Sequence, residues 1–283
     1  MIYTSIINVQ GLAEHISDSN WVIVDCRFDL ADPEAAKLRY NKSHLPRAVY
    51  AHLDEDLCGE IIPGLTGRHP LPIVKDFVER LGKWGITSGI QVVTYDDKGG
   101  ALAAGRLWWM LRWMGHESVA VMNGGWQHWV EKNLPIDSAI GRTSPKTFTP
   151  MLRPELIVNA KKVVEMAVGP DSQVFDSRVL ERYRGDYEPI DPIAGHIPGA
   201  KLASHPDVLD SDGLFLPGDT LKEYFNALLN DIPAEKTAFY CGSGVTAVQN
   251  VLGLNHAGLG EAKLYAGSWS EWITDPDHPI ETA

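Results

Sequence analysis

The chain repeats itself, and the repeat limits the folds open to it. Trp21-Val-Ile-Val-Asp25-Cys-Arg27 is answered by Gln173-Val-Phe-Asp176-Ser-Arg178, each a short apolar run ending in Asp-x-Arg. Ser43-His-Leu-Pro-Arg-Ala48 is answered by Gly195-His-Ile-Pro-Gly-Ala200, and Val92-Val-Thr-Tyr-Asp96 by Ala238-Phe-Tyr-Cys241. Asn123-Gly-Gly-Trp-Gln-His-Trp129 is answered by Ala266-Gly-Ser-Trp-Ser-Glu-Trp272. The four matches keep one order, at offsets of about 143 to 152 residues, as a tandem duplication would leave them. Whatever the fold is, it is built twice, by units of ordinary domain size that can bury a core without staples.

The copies divide the chain into a first domain over 1–135 and a second over 155–283. Between them, 136–154 holds Pro145, Pro150 and Pro154 among Ser, Thr and Lys residues, a linker composition. Within each copy, short apolar runs alternate with segments of helical spacing at 73–84, 103–114, 221–229 and 246–256. That alternation predicts an α/β fold in each domain, a mostly parallel sheet flanked by helices. Trp108, Trp109 and Trp113 share one helical pattern, and Trp126 and Trp129 answer Trp269 and Trp272, so these residues are expected in the core.

One position breaks the symmetry in a chemically informative way. In Thr237-Ala-Phe-Tyr-Cys241-Gly-Ser-Gly-Val-Thr-Ala247, an apolar strand stops at a cysteine and turns through Gly242 and Gly244 into a helix. The glycines let several backbone N–H groups converge beside the positive end of that helix, a setting that holds an anionic sulfur, lowers its pKa and makes it nucleophilic. In parallel sheets a ligand site lies off the carboxyl ends of the strands, where this cysteine falls. In the first copy Asp96 takes the matching place, followed by Asp97-Lys98-Gly99-Gly100.

Composition removes other classes. A formal net charge of -12 argues against a general binder of nucleic acid or anionic membrane, so an anionic ligand needs a local positive site. There is no long uncharged apolar run and no basic-then-apolar leader, so a cytoplasmic protein is expected. The three cysteines, Cys26, Cys58 and Cys241, are far apart and form no C-x-x-C pair, which fits a reducing compartment and one working thiol. Cys26 and Cys58 are expected to be non-catalytic.

These residues resemble the tandem rhodanese-type sulfurtransferases: two copies of Asp-x-Arg, His-[Ile/Leu]-Pro-x-Ala and Gly-x-Trp over nearly the whole chain. Cys-Gly-Ser-Gly-Val-Thr-Ala is similar to the active-site loop of their 3-mercaptopyruvate branch. The resemblance implies transfer of a sulfane sulfur through a persulfide on Cys241, from 3-mercaptopyruvate or thiosulfate to a thiol, cyanide or thioredoxin-like acceptor, with no metal or organic cofactor. It implies that the backbone of Gly242, Ser243, Gly244, Val245 and Thr246 stabilises the persulfide. Asp96 cannot carry sulfur, so the first domain is expected to be catalytically silent and, by resemblance, to wall the cleft between domains.

For the donor's anionic group the resemblance points to Arg182, in Arg182-Tyr-Arg-Gly185, with Arg184 as the weaker candidate and a solvated surface charge as the bland alternative. Arg178 has a counterpart, Arg27, in the silent copy, so an ion pair with Asp176 is expected of it. The mercaptopyruvate branch also pairs its loop serine with a histidine and an aspartate of the first domain. Here Ser243 supplies the serine, His44 the histidine, and Asp32, or failing it Asp29, the aspartate. Equally, His44 could simply make a buried hydrogen bond in a repeated turn, as His196 would. Arg47 stands where this turn usually has glycine. Asp54-Glu55-Asp56 reads as a solvated loop.

Two rivals remain at this level. A cysteine phosphatase would need an arginine at the sixth position after the thiol to neutralise phosphate, and that position is Ala247. A non-enzymatic binding module is disfavoured by the intact loop. The small, uncharged Gly-Ser pair after Cys241 favours mercaptopyruvate, with thiosulfate as the alternative donor.

Overall fold

The computed structural model describes residues 2–99, 102–141 and 143–283, so Gly100 of the Asp96 loop lies outside the described residues. The strands are β1 (Ile6–Ile7), β2 (Trp21–Asp25), β3 (Val49–Tyr50), β4 (Gln91–Tyr95), β5 (Val119–Met122), β6 (Gln173–Asp176), β7 (Lys201–Leu202), β8 (Thr237–Tyr240) and β9 (Lys263–Leu264). The helices are α1 (Val9–His15), α2 (Pro33–Lys42), α3 (Leu53–Asp56), α4 (Val74–Lys83), α5 (Ala103–Trp113), α6 (Gly125–Glu131), α7 (Ala160–Val168), α8 (Leu180–Arg184), α9 (Gly218–Leu229), α10 (Val248–His256) and α11 (Ser268–Trp272). Two compact units result: Met1–Gly59 with Leu71–Arg153 and Asp212–Leu214, and Glu60–Pro70 with Pro154–Ser211 and Phe215–Ala283. The short stretch Glu60–Pro70 thus packs with the second unit although it sits among first-copy residues. The segment between the copies packs on the first unit near both its ends: Asp137 exchanges backbone hydrogen bonds with His44, and the Met151 and Arg153 amides donate to the carbonyls of Met114 and Trp113.

The first sheet has the order β1-β5-β4-β2-β3 and the second β7-β6-β8-β9, with every pair parallel. Read from the edge inward, β3-β2-β4-β5 and β7-β6-β8-β9 are the same arrangement, which is the sequence repeat expressed as topology. All residues of β2, β4, β6 and β8 are buried, as interior parallel strands covered on both faces require. Helix α5 is buried along its whole length, which suits a sequence carrying three tryptophans, two leucines and a methionine in eleven residues. Trp108, Trp109, Trp129, Trp269 and Trp272 are all within the core, the expected role.

The Asp-x-Arg motifs fasten each sheet to its neighbouring turn. Asp25 accepts from Arg27 Nε and Nη2 at 2.9 and 2.6 Å, and the same Nη2 donates to the Ser43 carbonyl at 2.6 Å. In the second unit Arg178 Nε and Nη2 donate to Asp176 at 3.0 and 2.6 Å, and Nη2 reaches the Gly195 carbonyl at 2.6 Å. Each guanidinium also lies over a tryptophan, Arg27 at 4.3 Å from the Trp126 ring and Arg178 at 4.8 Å from Trp269. Burial by itself would lower the Arg178 pKa, and Asp176 reverses this, so the ion is held well charged. Arg178 is therefore a fold residue, as its duplication suggested.

The same holds for His44, which corrects one expectation. Its Nδ1 donates to the Tyr40 carbonyl at 2.6 Å, its Nε2 faces the Ala139 carbonyl at 3.1 Å, and the Tyr40 ring stacks on it at 4.1 Å. His196 repeats this, with Nδ1 at 2.7 Å from the Tyr183 carbonyl and Tyr183 stacked at 3.9 Å. A ring fixed in this way in both copies belongs to the turn. Arg47 adopts the left-handed conformation, φ 65°, that Gly199 takes at the matching place, φ 77°, and its guanidinium donates to the carbonyls of Ile16 and Asp18. Asp54-Glu55-Asp56 is not a loop: it forms α3, with Asp56 accepting from the His52 amide at 2.7 Å and pairing with Arg80.

Candidate active site

Strand β8 delivers its last residue, Tyr240, into the sheet, and the next, Cys241, is 1% exposed. The loop that follows is clamped by the start of α11. The Cys241 amide donates to Ser268 Oγ at 3.1 Å, the Trp269 amide donates to the Cys241 carbonyl at 3.0 Å, and the Ser270 amide donates to the Gly242 carbonyl at 2.8 Å. Gly244 sits at φ 72°, and a Cβ there would fall 2.3 Å from the Ala266 carbonyl oxygen, so the turn admits only glycine. Helix α10 begins at Val248 with its amino end toward this loop.

The loop of the first unit shows what such a turn holds. Asp96 is buried, and its carboxylate accepts from the amides of Lys98 and Leu102, both at 2.9 Å, and of Ala104 at 3.1 Å. Burial raises its pKa, and the three amide hydrogen bonds offset part of that rise. A carboxyl group bound by converging amides therefore occupies the place that a thiol takes in the second copy.

Around Cys241 the structure brings together groups that the sequence did not pair. His69 Nδ1 lies 2.7 Å from Ser243 Oγ, and both residues are buried. His69 is carried by Glu60–Pro70, which lies flush on the start of α11: a Cβ at Gly67 would fall 2.7 Å from the Gly267 carbonyl, and the Arg68 amide donates to Ser270 Oγ at 3.0 Å. The histidine that meets Ser243 is thus His69, not His44. The expected aspartates are spent locally as well. Asp32 caps α2 by accepting from the Ala35 amide at 3.2 Å, and Asp29 accepts from the Ala31 amide at 3.0 Å. A residue duplicated in a copy that lacks the thiol marks the fold, whereas Gly67-Arg68-His69-Pro70 has no counterpart in the other copy.

Arg182 lies beside the thiol loop. A Cβ at Gly242 would lie 3.3 Å from Arg182 Nη2 and 3.1 Å from Nη2 of a second guanidinium, Arg68, which sequence reading missed. Arg182 donates to Glu188 at 2.9 Å and to Asp191 at 3.0 Å, and Arg68 donates to the other Asp191 oxygen. Arg184, at the end of α8, is exposed. Burial pushes the Glu188 carboxyl pKa up, but the Arg182 side chain and the Asp191 and Ile190 amides outweigh it and hold it below the ordinary 4.5. A carboxyl with a depressed folded pKa contributes stability above its unfolded pKa and loses it as pH falls. Native protein is therefore expected to lose urea resistance on acidification through about pH 5 to 3, and Glu188→Gln to flatten that slope by up to one proton's worth. Coincident slopes would contradict this.

The remaining thiols are of a different kind. Cys26 is completely buried, and burial, then Asp25 and Asp96, raises its pKa well above the ordinary thiol value. Cys58 is pushed up to about 11 by burial. Both stay protonated and unreactive at neutral pH.

Fold and loop together define an α/β protein built as a repeated domain, in which the second copy places a buried cysteine, Cys241, in the glycine turn after its central strand. The rhodanese-like domain model matches residues 8–132 and again 159–275. A Pseudomonas aeruginosa protein named "Probable 3-mercaptopyruvate sulfurtransferase" is 41% identical over 283 residues, spanning 100% of this chain and 99% of that protein. An Arabidopsis thaliana protein, thiosulfate/3-mercaptopyruvate sulfurtransferase 1, mitochondrial, is 32% identical over 307 residues, with 98% of this chain and 78% of that one covered. Among solved structures, the 3-mercaptopyruvate sulfurtransferase from Leishmania major superposes with a TM-score of 0.82 at 28% identity, over 95% of this chain and 74% of that one. The chain belongs to the rhodanese family, as a tandem pair of its domains. Among the described residues no helix is long and apolar enough to cross a membrane.

Proposed function

We propose that the chain moves a sulfane sulfur from 3-mercaptopyruvate to a thiol-type acceptor through a persulfide on Cys241. It is a sulfurtransferase, and the observation that supports this donor is the pairing of one buried thiol with a hydroxyl–imidazole couple, Ser243 and His69, 2.7 Å apart. The Cys241 thiolate attacks the donor sulfur, forming the S–S bond as the C–S bond breaks. The electron pair goes to the departing three-carbon fragment, which leaves as the enolate of pyruvate. Ser243 donates to the carbonyl oxygen as that oxygen becomes the enolate, and His69 exchanges the proton with Ser243 Oγ. The proton lost from the donor thiol ends on the enolate carbon, giving pyruvate. A second thiol, cyanide or a thioredoxin-like protein then attacks the outer sulfur and restores Cys241. Arg182 and the Gly242 to Thr246 backbone hold the donor carboxylate and the persulfide.

Thiosulfate is the second reading, favoured by Arg68, which places a second guanidinium beside Gly242. In this reading the first domain is silent, because the amides of its loop are already taken by Asp96. The enzyme works in the cytoplasm, where a reduced thiol pool keeps Cys241 free and supplies acceptors; all three cysteines are unbridged.

Mass spectrometry after exposure to 3-mercaptopyruvate tests the proposal. A gain of one sulfur on the Cys241 peptide, matched by pyruvate and removed by added thiol, is expected; no adduct with either donor would overturn it. The couple has its own signature. His69→Gln is expected to lower kcat with mercaptopyruvate by about 10² to 10³ and to slow thiosulfate much less, since sulfite leaves without forming an enolate. Equal slowing with both donors would remove His69 from the chemistry.

A further inference from the structure

Three hydrogen bonds close a ring beside the thiol loop. Ser243 Oγ lies 2.7 Å from His69 Nδ1. Gly242, the residue before Ser243, accepts at its carbonyl from the Ser270 amide at 2.8 Å. Arg68, the residue before His69, donates its amide to Ser270 Oγ at 3.0 Å. One residue of α11, Ser270, is therefore bonded by its backbone to the neighbour of the serine and by its side chain to the neighbour of the histidine.

The histidine needs such a hold because of the segment that carries it. Glu60–Pro70 leaves and returns at one place, where a Cβ at Gly59 would fall 2.7 Å from the Leu71 carbonyl oxygen. Residues 60–65 of this loop are exposed, and burial sets in at Gly67 and His69. A surface loop of this shape takes its geometry from its anchors. At Gly67 the chain lies flat on the start of α11: a Cβ there would fall 2.6 Å from Ser270 Oγ, 2.7 Å from the Gly267 carbonyl oxygen and 3.1 Å from the Glu271 amide nitrogen. The missing side chain lets the Arg68 amide reach the Ser270 hydroxyl.

The first copy supplies the contrast. Gln127 stands at the place of Ser270, and Asp97 at that of Gly242. There the Gln127 side-chain amide donates to the Asp97 carbonyl at 2.8 Å, so the longer side chain closes the loop on itself. In the second copy the backbone amide makes that bond and leaves the short hydroxyl to a second segment.

Resting on the sulfurtransferase reading, we propose that Ser270 is a positioning residue for the mercaptopyruvate reaction: its hydroxyl sets the Arg68 amide, and through it the His69 ring, in register with Ser243. One rigid peptide unit separates Arg68 from His69, so a shift of the anchored residue passes directly to the next. Ser270 touches no reacting atom. It acts on the Ser243 to His69 distance, over which the proton must be exchanged as the enolate forms.

The test is kcat for each donor in the intact chain. Ser270→Ala removes the hydroxyl and keeps the backbone bond to Gly242. It is expected to lower kcat with mercaptopyruvate by about tenfold. With thiosulfate the loss should be no more than about twofold, since sulfite leaves without forming an enolate. Gly67→Ala, which lifts the same turn off α11 by other means, is expected to give the same split between donors. In a His69→Gln background Ser270→Ala should cost less than about twofold more, because the group it positions is already gone. A second loss of about tenfold there, or equal slowing with both donors, is what a mere brace of the fold would give, and either would overturn the proposal. Sulfur uptake by the native protein separates the two levels: uptake with kcat unmoved in both variants removes only the role of Ser270, and no uptake from either donor removes the reading beneath it as well.

Discussion

Cys241→Ser is expected to take up no sulfur from either donor, a loss of about 10⁴-fold or more in transfer. The reason is specific to the atom. Serine at neutral pH is a protonated alcohol, a poor nucleophile toward sulfur, and its oxygen cannot store a sulfane sulfur as a persulfide. The loop itself tolerates the change, because the contacts that fix it are backbone ones, from the Trp269 and Ser270 amides and to Ser268 Oγ. Stability should therefore shift by about 1 kcal/mol or less, as for a small polar swap in a site already lined by amides. Cys58→Ala is the matching control. Burial holds that thiol protonated, with its pKa pushed up to about 11, and it lies in the first unit. Uptake of sulfur by the Cys241→Ser protein, read by mass spectrometry on the separated peptides, would refute the assignment of the nucleophile.

The largest effect on stability is expected from Asp176→Ala. Asp176 is fully buried and neutralises Arg178 through both carboxylate oxygens. Without it, a guanidinium inside the protein keeps, among the described residues, the Gly195 carbonyl and one Glu188 contact at 3.2 Å as hydrogen-bond acceptors, beside the Trp269 ring. Removing one partner of a buried pair costs about 3–5 kcal/mol, because the remaining charge is left uncompensated. The damage should spread toward the thiol, since Arg178 lies over Trp269 and the Trp269 amide holds the Cys241 carbonyl. Urea unfolding followed by circular dichroism is expected to show a lowered midpoint for the second unit, with sulfur uptake lost at lower urea than in the native protein. Asp25→Ala, the same cut in the first unit, should cost a similar amount. A loss below about 1 kcal/mol in both would mean that the pair is not what fastens the sheet to its turn.

Much of this protein is legible without coordinates, and the legible part has one physical character. Strands β2, β4, β6 and β8 read as unbroken apolar runs because both faces are covered, and the helices announce themselves by their spacing. Gly244 reads as a turn because φ 72° is open to glycine and its Cβ would strike Ala266. The thiol at the end of β8 follows from those neighbours. Duplication adds an internal control: Arg27 and Arg178 behave alike, as does the turn around His44 and His196, so these positions serve the fold.

The illegible part also has one character. His69 reaches Ser243 across a sequence separation of 174, and Arg68 reaches Asp191 across 123. No periodicity or turn preference encodes such a meeting. It depends on Glu60–Pro70 leaving the first copy and packing on α11, which Gly67 permits by having no side chain to strike the Gly267 carbonyl. The sequence alone determined the repeated parallel α/β unit, the cysteine that follows β8 and the aspartate, Asp96, that stands in its place in the first copy, because strand, turn and helix preferences act over a few residues. Tertiary structure alone decided which histidine faces Ser243 and how Asp191 divides its charge between two arginines. Those partnerships are fixed by where distant backbone comes to rest, and a side chain's charge and reach do not name the neighbour they will meet.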